Sequence, residues 1–210
     1  WGFLAWFALV PLLASLDHAQ SHSQAVGFGL ITGLVFFGLS LHWLTHVATV
    51  GWMLAVAYQS LFIVGFAWLA YLGMRTKRNF WFKTCWIALA WTATEFARAE
   101  MPVFGFGWNL LAYSQASYLP MIQCVKVIGS YGLGFLIAFV NASILYAWFH
   151  RKDFRVASSS LFIILMVVLG IWGYGKTELT RTLEPKEYLR VSVLQGNIPP
   201  EHGLAVAGII

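Results

Sequence analysis

The stretch VGWMLAVAYQSLFIVGFAWLAYLGM (residues 50–74) runs without one charged side chain and is followed at once by RTKR (75–78). A helix needs about 20 mostly apolar residues to cross the hydrocarbon core of a bilayer. A cluster of Lys and Arg at its end marks the side that stays in the cytoplasm. This stretch therefore predicts both a spanning helix and its direction. Working outward, Asp17 is the only Asp, Glu, Lys or Arg before Arg75. Across all 210 residues 60% are hydrophobic and only 10% are charged, with a mean hydropathy of +0.72. Soluble domains carry about 25% charged residues, so this chain has too few to cover a water-facing globule. Its 11 Trp, 17 Phe and 8 Tyr exclude a disordered chain. Two cysteines exclude a disulfide-stapled miniprotein. The fold class expected is an all-α polytopic membrane protein.

The formal net charge of +5 invites a nucleic-acid reading, which the placement of charge rejects. The bases fall in two tight groups, Arg75/Lys77/Arg78/Lys83 and Arg151/Lys152/Arg155, each between long apolar runs. That is the pattern of cytoplasmic loops, not of a face that tracks phosphates. Six spans are expected, at about 1–16, 26–44, 50–74, 80–99, 127–149 and 156–174. Residues 101–120 are uncharged and long enough for a seventh, but Pro102, Gly105, Gly107 and Pro120 interrupt them. Two basic loops on one side require an even number of crossings between them. The spans at 80–99 and 127–149 already supply two, so residues 101–120 should return on the outer side as a re-entrant or interfacial loop. Non-helical backbone at membrane depth is tolerated only where protein buries it or where it lines a cavity. The loop is thus a functional candidate on physical grounds.

After Tyr174 the chain emerges on the outer side. Residues 175–189, with both signs of charge interspersed, read as a solvated linker. Within 190–210, the run Val191-Ser-Val-Leu194, ended by Gly196, Asn197 and Pro199, reads as a first strand of a soluble domain truncated at Ile210.

Few residues offer chemistry. Glu95 and Arg98 share one face of a helix, and ionisable groups at membrane depth mark function by default. The plainer reading makes them an intramembrane structural pair that pins the helix to the following loop. Lys126 reads as an interfacial anchor. His42 and His46 have the i, i+4 spacing of metal ligands but no third ligand near them, so no metal site is expected. Cys85 and Cys124, in apolar surroundings without a nearby base, read as buried inert thiols.

Four motifs in order resemble the bacterial apolipoprotein N-acyltransferases. They are Trp91-Thr-Ala-Thr-Glu95-Phe-Ala-Arg98, Phe104-Gly-Phe-Gly-Trp108 through Tyr113-Ser-Gln115, Gly129-Ser-Tyr131-Gly-Leu-Gly-Phe135 with Asn141, and Val191-Ser-Val-Leu-Gln195-Gly-Asn-Ile-Pro199. Gly107 stands where that family usually has Pro. The resemblance implies a bacterial inner-membrane enzyme with the segment after Tyr174 on the periplasmic side, where an α/β nitrilase-like domain would begin. The implied partners are a phospholipid acyl donor, a diacylglyceryl-lipoprotein acceptor and the lipid bilayer, with no cofactor. The family's catalytic Glu, Lys and Cys would all lie beyond Ile210, so no catalytic residue is assigned here and the chain alone is expected to be inactive. Trp108 and Tyr113 are the candidates for a lipid entrance. The alternatives are a small secondary transporter using Glu95, Arg98 and Lys126, or a non-catalytic membrane scaffold.

Overall fold

A computed structural model describes residues 2–181 and 191–193, and every regular element among them is helical. A 3-10 turn at Gly2–Trp6 leads into α1 (Val10–His18) and α2 (His22–Ser40); a second turn at His42–His46 leads into α3 (Thr49–Met74) and α4 (Phe80–Glu100). A third turn at Leu111–Gln115 precedes α5 (Leu119–Ile122), α6 (Val125–Phe149) and α7 (Phe154–Thr180). Among the described residues, four helices (α2, α3, α6 and α7) are long and apolar enough to cross a membrane. Helix α4 has 21 residues but is less apolar, because it carries Lys83, Glu95, Arg98 and Glu100.

Several boundaries differ from the sequence reading. Residues 1–16 are not one helix: the chain breaks between Trp6 and Val10, and Pro11 opens α1. Proline suits the first turn of a helix, where its missing N–H leaves no bond unmade. The break survives burial because fully buried Asn141 of α6 bridges it. Its Oδ1 accepts from Leu9 N–H at 2.9 Å and its Nδ2 donates to Ala5 C=O at 2.9 Å. Helix α2 starts at His22, capped by Ser21, whose hydroxyl accepts from Gln24 N–H. Helix α7 continues through Thr180, so residues 175–180 are helix, not linker. Val191–Val193 form no strand and are exposed. The rest of 190–210, where the soluble domain was expected to begin, lies outside the described residues, as do 182–189 of the expected linker.

Small residues set the closest packing. A Cβ at Gly29 would lie 2.7 Å from Ala67 Cβ, and one at Gly33 would lie 2.8 Å from Ser60 Cα, so α2 and α3 touch along these positions. Such approach is the usual basis of helix association in lipid, where burying apolar surface gains nothing. Leu13, Leu16, Phe37, Leu41, Phe66 and Ile87 fill the main core.

The bundle has two chemically distinct ends. At one, the Arg75 guanidinium donates to the carbonyls of Asp17 (2.9 Å) and Ala19 at the C-terminus of α1. His18 there lies edge-on to Phe149, the last residue of α6, with ring centroids 5.6 Å apart. Both basic loops therefore share that end. At the other, Gln115 donates to Gly2 C=O at 2.8 Å, Trp43 meets Trp108, and Lys126 pairs with Glu178. Residues 101–118 run there without crossing the bundle.

Two outcomes are expected. Asn141→Leu strands the Leu9 N–H and the Ala5 C=O, so it should lower stability by about 1–3 kcal/mol, seen as a lower melting temperature in detergent; an unchanged melting temperature contradicts the bridge. Cysteines placed singly at Ser114 and Thr180 in a Cys85- and Cys124-free background should label from one side of the membrane. One placed at Lys152 should label from the other.

Candidate functional site

Helix α4 turns Ile87, Ala88, Trp91, Glu95 and Arg98 toward the bundle, a helical stripe that ends in two ionisable side chains. Glu95 and Arg98 are 4% and 3% exposed, so water does not solvate either. After Glu100 the chain leaves the helix in an extended residue, Met101, and doubles back. Gly105 N–H donates to Met101 C=O and Phe106 N–H donates to Arg98 C=O, each at 2.9 Å. A Cβ at Gly105 would fall 2.5 Å from Met101 O and 2.6 Å from Ala99 O, so this reversal requires glycine.

The two ionisable side chains hold the returning loop. Arg98 Nη1 donates to the carbonyls of Phe106 (3.0 Å) and Trp108 (2.7 Å) and to Gln59 Oε1 of α3 (3.3 Å). Its guanidinium lies 5.4 Å over the Phe37 ring of α2. Glu95 Oε1 accepts from Leu111 N–H at 2.6 Å. Gly134 of α6 leaves room for the carboxylate, since a Cβ there would lie 3.0 Å from Glu95 Oε2. No ion pair within 4.0 Å joins Glu95 to Arg98; each is engaged with the loop instead. Asn109, with φ +58°, donates through Nδ2 to Ser40 Oγ at 3.0 Å. Gln115, fully buried, accepts from Trp6 Nε1 at 3.1 Å. The loop is thereby bonded to the N-terminal turn, α2 and α4, and through Arg98 to α3.

Trp108 and Tyr113 are each 53% exposed on this held loop. Trp108 stacks on Phe106, with centroids 6.1 Å apart, and meets Trp43 at 5.6 Å. Tyr113 borders a cleft of about 460 Å³ whose walls include Leu9, Leu12, Phe36, Ile63 and Trp91. That volume lies in the range of small-molecule sites, and the apolar walls suit hydrocarbon. Trp108 is not among its lining residues.

The other candidates lie apart from the loop. His42 packs edge-on to Trp52, and its ring centroid is 6.4 Å from that of His46. Cys85 is exposed, not buried as expected, because the stripe through Thr84, Ile87 and Ala88 turns it outward. Cys124 is buried, its Sγ donates to Met121 C=O at 3.2 Å, and burial pushes its thiol up from the ordinary range. Lys126 is engaged with Glu178. Gln59 escaped the sequence reading; the available signal was a lone amide inside an uncharged apolar run, where polar side chains serve as interhelical links.

Comparison with known proteins bears on this arrangement. Residues 1–143 match the family described as the apolipoprotein N-acyltransferase N-terminal domain. The chain is 30% identical over 208 residues to the apolipoprotein N-acyltransferase of Geobacter metallireducens, covering 93% of this chain and 39% of that protein. It is 30% identical over 204 residues to that of Chlorobaculum tepidum (94% and 37%), and 32% identical over 216 residues to that of Gloeobacter violaceus (94% and 39%). The chain thus spans about two fifths of the length of the curated relatives it matches.

Replacing Arg98 with Met should cost about 3–5 kcal/mol, because Glu95 and the loop carbonyls lose a buried cation. Glu95→Gln keeps an acceptor for Leu111 N–H and should cost less. Heating in detergent followed by size-exclusion chromatography reads the order, and limited proteolysis should cut residues 101–110 faster in the Arg98 variant. Equal stability of Arg98→Met and the parent would show that the arginine does not hold the loop.

Proposed function

The chain belongs to the apolipoprotein N-acyltransferase N-terminal domain family, and on that premise we propose that it is the membrane part of an enzyme moving an acyl chain from phospholipid to the N-terminal diacylglyceryl-cysteine of lipoproteins. In this reading the protein lies in a bacterial inner membrane. It crosses six times, α4 and the broken N-terminal segment joining the four apolar helices. The basic loops face the cytoplasm, and the segment after Tyr174 emerges in the periplasm. A nitrilase-like domain beyond Ile210 supplies the catalytic Glu, Lys and Cys. The task of the membrane part is to hold that domain over the outer leaflet and to admit lipid.

The observation that carries the reading is the loop held by Glu95 and Arg98, which exposes Trp108 and sets Tyr113 on the wall of an apolar cleft. Both substrates are anchored in the bilayer by their acyl chains, so a transferase must receive them sideways, at the depth where ester meets hydrocarbon. Tryptophan and tyrosine favour that depth because each joins an apolar ring to one polar atom. Trp43, Phe104, Trp108, Tyr113 and Tyr118 are all exposed at this end of the bundle. Fixing the loop in advance spares the entropy of ordering it when lipid arrives. Glu95 and Arg98 act here as structural groups, each buried and already engaged.

Two measurements test this. In the full-length enzyme, Trp108→Ala with Tyr113→Ala should lower kcat/KM for a long-chain phospholipid donor by about tenfold, while a short-chain soluble ester should be turned over as before. An equal loss with both donors places the aromatics outside the lipid entrance. Residues 1–210 alone should transfer no acyl group, since burial raises the Cys124 thiol and Lys126 is paired elsewhere. Mass spectrometry of the chain after incubation with phospholipid and a diacylglyceryl-peptide checks this; an acyl-thioester on Cys124, or N-acylated peptide above the no-protein control, overturns it.

A further inference from the structure

The end of the bundle opposite the held loop carries a second feature. At the end of α6 and in the loop that follows it, an open groove of about 420 Å³ is bounded by Trp148, Phe149, Arg151 and Lys152. Trp148 is 65% exposed, and the Arg151 guanidinium lies 5.2 Å over its ring. The acid beside the groove, Asp153, is occupied: its carboxylate caps α7, accepting from Arg155 N–H at 3.0 Å and Val156 N–H at 3.5 Å. His150 Nδ1 is taken up by Tyr146 C=O at 3.2 Å. Among the described residues no ion pair involves Arg151, Lys152 or Arg155.

The cations at this end are not equivalent. Arg75 spends its guanidinium on the carbonyls of Leu16, Asp17 and Ala19, so it closes α1 and has little left to offer a ligand. Arg151 instead lies over an indole, and among the described residues its N–H groups have no hydrogen-bond partner. A guanidinium presents paired donors to phosphate oxygens. Lys152 adds a point charge beside it. The groove thus joins two cations to two aromatic rings at the terminus of a long apolar helix, where a bilayer passes from headgroup to hydrocarbon.

We propose that this groove is a binding site for one anionic phospholipid of the leaflet that the basic loops face, with phosphate at Arg151 and Lys152 and the glycerol and upper acyl region against Trp148 and Phe149. The site is separate from the held loop and does not depend on the acyl-transfer reading. Charge complementarity selects the occupant: basic pockets at helix ends take acidic headgroups, and the rings favour a molecule with chains over a free anion. The bound lipid would fix the α6–α7 hairpin at the interface.

Native mass spectrometry of the full chain in neutral detergent tests the proposal, with dioleoyl-phosphatidylglycerol titrated against dioleoyl-phosphatidylcholine. Phosphatidylglycerol should be retained with roughly tenfold preference, and Arg151→Gln with Lys152→Gln should abolish that preference. Lys77→Gln with Arg78→Gln, an equal loss of charge on the other basic loop, should leave it intact. Equal retention of the two lipids overturns the proposal. Equal loss in both double variants also does, since it reports diffuse surface charge. Displacement of the lipid by millimolar glycerol phosphate overturns it in favour of a free-anion site. A photoactivatable phosphatidylglycerol on the unmodified chain provides a second measurement that needs no variant to fold: crosslinks should map to residues 148–152, and crosslinks confined to other segments overturn the site.

Discussion

Backbone that leaves a helix away from water must find its hydrogen bonds inside the protein, and the architecture of this chain follows from how it meets that demand. Arg98 supplies donors to two loop carbonyls, and Glu95 supplies the acceptor for Leu111 N–H. Together these bonds set the position of the whole loop. The cost of burying the two side chains is offset by these bonds, by the aromatic face of Phe37 and by the nearness of opposite charges on successive turns of α4.

The same demand recurs at the start of the chain, where it is met without charge. The break between Trp6 and Val10 exposes Leu9 N–H and Ala5 C=O, and Asn141 bridges both across more than 130 residues. Gln115 then ties Gly2 and Trp6 to the held loop. The two irregular segments are therefore held to each other and to α6, and the apolar cleft lies between them.

Charge divides the molecule along its length. The end with the basic loops uses Arg75 to close α1 and leaves Arg151 and Lys152 uncommitted, whereas the opposite end carries exposed aromatic rings and the ion pair of Lys126 with Glu178. That pair also joins the start of α6 to the last turns of α7. Helix α7 is the least covered of the long apolar helices, with Leu161, Phe162, Leu165 and Trp172 exposed. Its attachment thus relies on α5, α6 and this one bridge.

Hydropathy and Lys/Arg placement were enough to read a helical membrane protein with both basic loops at one end, because transfer free energy depends on composition over a span and not on neighbours. The uncharged, Pro- and Gly-punctuated residues 101–118 were legible as a returning loop for the same reason, and Glu95 with Arg98 stood out as charge where charge is costly. That each would engage the loop and not the other was not legible. Spacing puts them on one face, but only the folded loop offers the carbonyls of Phe106 and Trp108 and the Leu111 N–H that each prefers. The break in residues 1–16 was hidden because apolar side chains look alike in a helix or a turn, and its partner Asn141 lies far along the chain. The outward turn of Cys85 and the extension of α7 to Thr180 likewise depend on which face packs inward and on a bridge from another helix. Composition and order along the chain decided that the protein is a bundle of apolar helices with both basic loops at one end; hydrogen bonds between residues distant in sequence, which no local pattern encodes, decided where the loop sits.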